Sequence, residues 1–216
     1  MIHFTLKPQP DRTLRILCIG AHSDDIEIGC GGTILRLAEE YPDCELHWAV
    51  LCAIGEREEE ARHGAELFAG SRLEKRIFKS FRDGFMPYMG SDVKNMFEDE
   101  LKILTPDLVF THNSNDAHQD HRLVSELTWN TFRKNLILEY EIPKYDGDLG
   151  RPAVFVELER RICERKTEYL MDAFHSQRDK HWFQPDTFLS LMRLRGMECV
   201  APSGYAEAFY CRKLVL

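Results

Sequence analysis

Leu14 to Ile19 is an apolar run, interrupted by Arg15, that stops at Gly20. A run with no polar alternation suits a strand buried on both faces. Leu46 to Ile54 (LHWAVLCAI) has the same character, and Asp107 to Thr111 (DLVFT) is a shorter version of it. Val154 to Val156 and the closing stretch Ala206 to Leu216 supply two more predicted strands. Between these runs the period becomes helical. Ile34, Leu35 and Ala38 form a stripe in Cys30 to Glu40, ahead of Pro42. Ala61, Ala65, Leu67 and Phe68 do so in Arg57 to Ala69, and Leu123, Val124 and Leu127 in His121 to Arg133. Asp92 to Leu104, stopped by Pro106, is a further predicted helix. So are Arg161 to Phe174, with Cys163, Lys166, Leu170 and Phe174 on one side, and Pro185 to Gly196. Glu139 to Pro152 is rich in Gly, Pro and Asp, which predicts a loop where the main sheet gives way to a C-terminal portion. Strands alternating with helices predict an α/β fold with a mostly parallel sheet. No repeat, low-complexity tract or Gly/Ser linker divides the chain, so one domain over residues 1–216 is expected.

Composition narrows the function. The chain has 28 Lys and Arg against 36 Asp and Glu, a formal charge of −8. That balance argues against a general nucleic-acid binder, which carries a basic surface for phosphates. A hydrophobic share of 44% with 11% aromatics excludes disorder as the main state. No stretch reaches the ~18 apolar residues of a transmembrane helix, and no signal-peptide core is evident, so a cytoplasmic protein is expected. The 7 cysteines are odd in number, scattered, and form no C-x-x-C. They read as reduced, mostly buried thiols and not as a zinc or disulfide frame.

The chemistry lies in histidine and aspartate. His22-Ser23-Asp24-Asp25 follows the first predicted strand and leads into a glycine-rich helix start. His112 to His121 follows the strand Asp107 to Thr111 and holds three histidines and two aspartates. In an open α/β sheet, ligands bind at the carboxyl ends of strands. Two such ends can face one another across one crevice. Together they offer two histidines and one carboxylate for a metal, with acid and base groups left over. That set describes catalytic zinc and also the facial triad of non-haem iron. Each cluster has a plain reading as well: Asp caps helix N-termini, and a strand-end histidine such as His112 is more often a satisfied structural group than a ligand. The glycines do not keep the G-x-G-x-x-G spacing of a nucleotide loop.

These residues carry a resemblance. AHSDDIEIGCGGTI resembles the A-H-P-D-D-E-x-I-G-C-G-G-T-L signature of the PIG-L/LmbE-like deacetylases, and AHQDHR resembles that family's H-P-D-H. GEREEEARHGAELFAG is similar to its G-E-x-R-x-x-E helix, PDLVFTH to its central strand, and HSQ and YAEAF to its C-terminal marks. The similarity runs from about Leu14 to Phe209. Ser23 and Gln119 replace the two prolines, and Ile26 stands where a glutamate follows the aspartate pair, with Glu27 one place later.

The resemblance implies a Rossmann-like three-layer sandwich, with the metal site at the strand carboxyl ends and no dinucleotide. It implies one Zn2+ per chain on His22, Asp25 and His121, with water in the open position; Fe2+ or another divalent ion is the alternative. It implies removal of an N-acetyl group from an N-acetylglucosamine-type sugar or conjugate, giving a free amine and acetate. On that basis Asp24 is expected to be the general base, and His118 to stabilise the oxyanion and protonate the amine. Asp120 is expected to orient His118. Arg57 at a helix start and Asp83 in FRDGFM are the expected substrate contacts, with Phe81, Phe85 and Tyr88 as stacking candidates. The loop from Glu139 to Gly150 is expected to line the entrance. Partners are confined to a small-molecule amino sugar or glycoconjugate, with homo-oligomers expected by analogy with relatives. The competing readings are a non-haem iron enzyme on the same triad and a non-catalytic metal-binding module.

Overall fold

The apolar runs become the centre of one sheet, as their lack of regular alternation requires. The computed structural model describes residues 3–6 and 12–215. In chain order the elements are β1 (Arg15–His22), α1 (Asp25–Glu40), β2 (Glu45–Cys52), α2 (Glu56–Ala69), β3 (Leu73–Phe78) and α3 (Gly90–Met96). They continue with β4 (Leu108–His112), α4 (Gln119–Thr131), β5 (Leu136–Tyr140), β6 (Val154–Glu157), α5 (Arg160–Ala173), α6 (Pro185–Glu198) and β7 (Ala206–Tyr210). The seven strands lie in the order β3-β2-β1-β4-β5-β7-β6. The first five are mutually parallel, and β7 is antiparallel to both of its neighbours.

The sheet separates two cores. One packs α1, α2, α5 and α6 residues such as Ile34, Phe68, Leu170 and Phe188 against Cys18, Trp48 and Phe110. The other packs Val93, Met96, Val124 and Leu127 of α3 and α4 against Leu17, Ala49 and Val109. Helices on both faces of a mostly parallel sheet are the three-layer arrangement expected of the alternating pattern. No helix among the described residues is long and apolar enough to cross a membrane. The cysteine thiols are all free, five of them buried.

Several boundaries differ from the sequence pattern for physical reasons. β1 does not stop at Gly20 but continues to His22, paired with Cys52 of β2. α1 starts five residues ahead of its apolar stripe, because Asp25 to Leu35 is buried on every side and shows no amphipathic period. β3 is an edge strand with three exposed residues, and β5 is only five residues long; neither pattern singled them out. β5 takes the first residues of the expected loop. The C-terminal portion does not leave the sheet: β7 inserts beside β5 and adds β6 as the edge. The helix expected over Asp92 to Leu104 is α3 followed by a π turn, Phe97–Leu101, and a 3-10 turn, Lys102–Leu104. The last strand ends at Tyr210; Leu216 lies outside the described residues.

α1 is seated by close approach. Gly29 lies against the Tyr140 ring, Gly31 against Phe68 and Gly32 against Leu158 and Glu207. Halfway along α1 a buried ion pair enters the helix. Glu207 of β7 accepts the N–H groups of Gly32 (2.8 Å) and Thr33 (2.6 Å). Lys166 of α5 donates to Ile28 O (2.5 Å) and to Glu207 (2.6 Å). The helix is thereby bonded to both α5 and strand β7 of the sheet.

A Cβ at position 29 would overlap the Tyr140 ring, whereas at Gly90 it meets open space. Gly29→Ala is expected to cost about 2 kcal/mol through overpacking, read as a Tm lower by roughly 4–8 °C. Gly90→Ala is expected to be neutral or to stabilise by up to about 1 kcal/mol. Thermal melts of the two variants beside the parent check both signs.

Candidate metal centre and active site

β1 and β4 are neighbours, and their following helices cross to opposite faces, so the sheet opens between their carboxyl ends. This is the switch point at which open α/β sheets place ligands. His22 ends β1 and His112 ends β4, which brings the two clusters together.

Three donor groups converge there. His22 Nδ1 and His121 Nε2 face each other at 3.2 Å. Asp25 Oδ2 lies 3.3 Å from the first and Oδ1 lies 3.5 Å from the second. The Asp25 carboxylate is aimed by the His22 N–H, which donates to Oδ2 at 2.6 Å. Two facing imidazole nitrogens can share one proton in an N–H···N bond, and with that proton displaced both lone pairs are turned to one point. A carboxylate beside them completes the N,N,O donor set of a divalent metal. The residues present therefore fit a metal ion.

The surrounding groups fix this set. Asp116 Oδ2 stands 3.0 Å from His121 Nδ1 and accepts from Lys144 Nζ at 3.0 Å, while Oδ1 accepts the His118 N–H at 2.7 Å. A carboxylate on Nδ1 fixes the tautomer that leaves Nε2 free as a ligand. Burial opposes charge on Asp116, but His121, His112 and Lys144 hold its carboxyl well below the usual range. The fully buried His112 accepts the Ala21 N–H through Nε2 at 3.0 Å and stacks on His121 with centroids 3.8 Å apart. That ring nitrogen is engaged, in keeping with a structural strand-end histidine. Burial works against charge on His22 too, yet Asp120, Asp25 and Asp83 raise its pKa well above the ordinary value. Burial likewise opposes charge on Asp25, but His121 and His112 hold its carboxyl well below the usual range.

Asp24 occupies the N-cap position of α1 and makes no capping hydrogen bond. The plain reading of an aspartate at a helix start does not apply to it. Its carboxylate is buried and turned to Arg57, Oδ2 to Nη2 at 3.1 Å. Burial raises its pKa, and the Arg57 charge partly restrains the rise. His118 is the N-cap of α4: its Nδ1 accepts the Asp120 N–H at 3.3 Å, which leaves Nε2 as the group free to meet a ligand. Its ring stands edge-on to His22 at 4.9 Å.

Asp120 is in the site, but its carboxylate makes no hydrogen bond to the His118 ring. It accepts the N–H groups of Gly84 (2.7 Å) and Met86 (3.2 Å) and lies 3.4 Å from His22 Nε2. Its geometry is that of a pin for the turn carrying Asp83. Asp83 has a side chain 71% exposed, with Oδ1 3.0 Å from His22 Nε2. Arg57 is not a solvated charge at a helix start: besides Asp24 it holds Glu60 at 2.6 Å, and its side chain is 25% exposed. The segment after β5 is fastened beside the site, Lys144 to Asp116 and Asp148, and Asp148 to the Ala117 N–H at 2.7 Å.

Asp116, Lys144, Glu60 and Ser176 were not singled out in the sequence. Asp116 had the signal of lying inside the ten-residue histidine cluster. Glu60 and Ser176 lie within the GEREEEARHGAELFAG and HSQ segments, but their bond to each other spans 116 residues, and Lys144 carries no local signal.

With this geometry in place, comparison with known proteins is informative. The family profile PIG-L, described as GlcNAc-PI de-N-acetylase, matches residues 17–132. The Escherichia coli K12 protein named uncharacterized deacetylase YaiS is 32% identical over 142 residues, 59% of this chain and 74% of that protein. Among solved structures, the conserved protein TT1542 from Thermus thermophilus superposes with a TM-score of 0.73 at 22% identity, covering 94% of this chain and 97% of that one. An inhibitor complex of N,N'-diacetylchitobiose deacetylase from Pyrococcus horikoshii does so with a TM-score of 0.69 at 22% identity, covering 91% and 83%. At these identities the structures speak for the fold.

Asp116 offers a test of the centre that does not depend on turnover. Asp116→Ala is expected to lower zinc affinity about 10–100-fold in a competition titration against a chromogenic chelator. Unchanged affinity in a folded variant would remove Asp116 from the support of His121.

Proposed function

The chain belongs to the PIG-L family of deacetylases, and from that premise we propose that it is a metal-dependent hydrolase of N-acetylated amino sugars. The whole chain is read as one deacetylase domain. Its substrate is an N-acetylglucosamine-type sugar or conjugate and its products are the free amine and acetate. The setting is cytoplasmic. The observation that carries this reading is the convergence of His22 Nδ1, His121 Nε2 and the Asp25 carboxylate within 3.5 Å, flanked by Asp24 and His118.

His22, Asp25 and His121 would hold the ion, read here as zinc, although the same donor set suits iron(II) as well. Bound there, it would supply Lewis acidity to the amide carbonyl and to water. The chain's own groups do the rest. Asp24 has no capping duty, so its carboxylate is available to take a proton from the attacking water. His118 presents Nε2 to the reacting centre, where it can meet the oxyanion and deliver a proton to the departing amine. Asp120 fixes the turn that presents Asp83 to sugar hydroxyls, and Arg57 completes the rim. Hydrolysis uses this acid, base and metal together, which neither the iron nor the binding-module reading requires.

The test is incubation of metal-loaded protein with N-acetylglucosamine and N,N'-diacetylchitobiose, with mass-spectrometric detection of the loss of one acetyl group. Turnover is expected to stop on treatment with EDTA and return with zinc. Asp24→Asn is expected to keep the metal and lower kcat by about 10²–10⁴-fold. Full activity in that variant, or deacetylation indifferent to chelation, would overturn the mechanism.

A further inference from the structure

The orientation of Asp24 depends on a guanidinium that is itself held from elsewhere. Among the described residues, Arg57 is the basic side chain within ion-pair distance of Asp24. An Arg–Glu pair three residues apart on a helix surface contributes little. Here the glutamate is different. Glu60 is 5% exposed, unlike the other glutamates of the run Glu56 to Glu60. Its Oε1 accepts the Ser176 N–H at 2.7 Å. Its Oε2 accepts the Ser176 hydroxyl at 2.8 Å and Arg57 Nη1 at 2.6 Å. Ser176 Oγ in turn accepts from Arg57 Nη1 (3.3 Å) and from Gln177 Nε2 (2.8 Å). One donated and two accepted bonds fill the capacity of a hydroxyl. Below the guanidinium lies the Phe174 ring, 5.7 Å to its centroid. Glu60 therefore cannot swing, and Arg57 reaches Asp24 from a fixed side.

We propose that Glu60 and Ser176 are positioning residues that hold the Arg57 guanidinium against Asp24, so that the His175–Gln177 turn sets the direction of the general base. The inference rests on the reading of Asp24 as that base. It gives the HSQ motif a physical role, as the anchor for a carboxylate on α2 that lies 116 residues away in sequence. The physical need is clear. An aspartate at a helix N-cap position has a competing use, the first N–H groups of the helix. Only a fixed cation on the other side keeps it turned away.

The test has two arms. Crystal structures of Glu60→Gln and Ser176→Ala are expected to show Asp24 and Arg57 separated beyond the ion-pair limit of about 4 Å, with the Asp24 carboxylate turned onto the start of α1. In kinetics with zinc-loaded protein and N,N'-diacetylchitobiose, both variants are expected to lose about tenfold or more in kcat. KM is expected to rise by a smaller factor than kcat falls, because a misdirected base weakens the reaction while Arg57 is one contact at the rim among several. Ser176→Thr, which restores the hydroxyl, is expected to recover kcat. An Asp24–Arg57 pair intact in both variants, or a rise in KM at unchanged kcat, overturns the proposal. If the parent protein releases no acetate from the disaccharide or the monosaccharide, the deacetylase reading fails instead, and the crystallographic arm still decides whether Glu60 and Ser176 direct Asp24.

Discussion

A buried lysine and glutamate are spliced into the helix on which the site depends. Glu207 takes two backbone donors from the middle of α1, and Lys166 takes a carbonyl one turn earlier. Isolated, either charge would be costly in the interior; paired and fully hydrogen-bonded, both are tolerated. The pair has a consequence for geometry. It ties α1 to α5 and β7, elements from the far end of the chain, while the glycines at 29, 31 and 32 let Tyr140, Phe68 and Leu158 close in. A helix gripped in this way cannot slide along the sheet. Asp24 and Asp25 sit at its first turn, so their positions inherit that rigidity.

The opposite half of the site is built on a second principle, the placing of unlike charges. The two histidines that face each other both meet carboxylates: His22 meets Asp25, Asp83 and Asp120, and His121 meets Asp25 and Asp116. The result is an alternation of unlike polar groups in a largely buried crevice. Such an arrangement keeps ring tautomers and carboxylate orientations defined before any ligand arrives, which is how preorganised polar sites act. The overall charge of −8 has little to do with it, since few of the 36 acidic residues take part.

Much of this was legible in the sequence, and the limits have physical causes. Largely apolar runs located β1, β2 and β4 because central parallel strands bury both faces. The same runs placed the histidine clusters at strand ends, which is why one crevice could be foreseen. β3 escaped because an edge strand with exposed Glu74, Lys75 and Arg76 lacks that pattern. The start of α1 escaped because total burial erases amphipathic period. Lys166, placed on the apolar side of its predicted helix, proved to be buried with a partner 41 residues away. Asp120 shows the deeper limit. Its neighbourhood in sequence suggested a bond to His118, but a carboxylate on a helix start can point to another loop, and this one points to Gly84 and Met86. Local spacing identifies which groups meet, and only the folded chain decides which atoms do.

The two loops that frame the crevice are not equally free to vary. The turn bearing Asp83 is stitched by its own amides to Asp120, one residue before His121. Any remodelling of that turn pulls on the residue next to His121, so the turn and the histidine are mechanically coupled. The segment after β5 is divided differently. Lys144 and Asp148 clip its two shoulders to the Asp116–Ala117 stretch and to each other, and the three residues between them, Tyr145 to Gly147, project as an exposed tip. That tip can exchange its side chains without disturbing the clips. The sequence has room to change at 145–147, whereas residues 83–86 are bound to the fate of the centre they enclose.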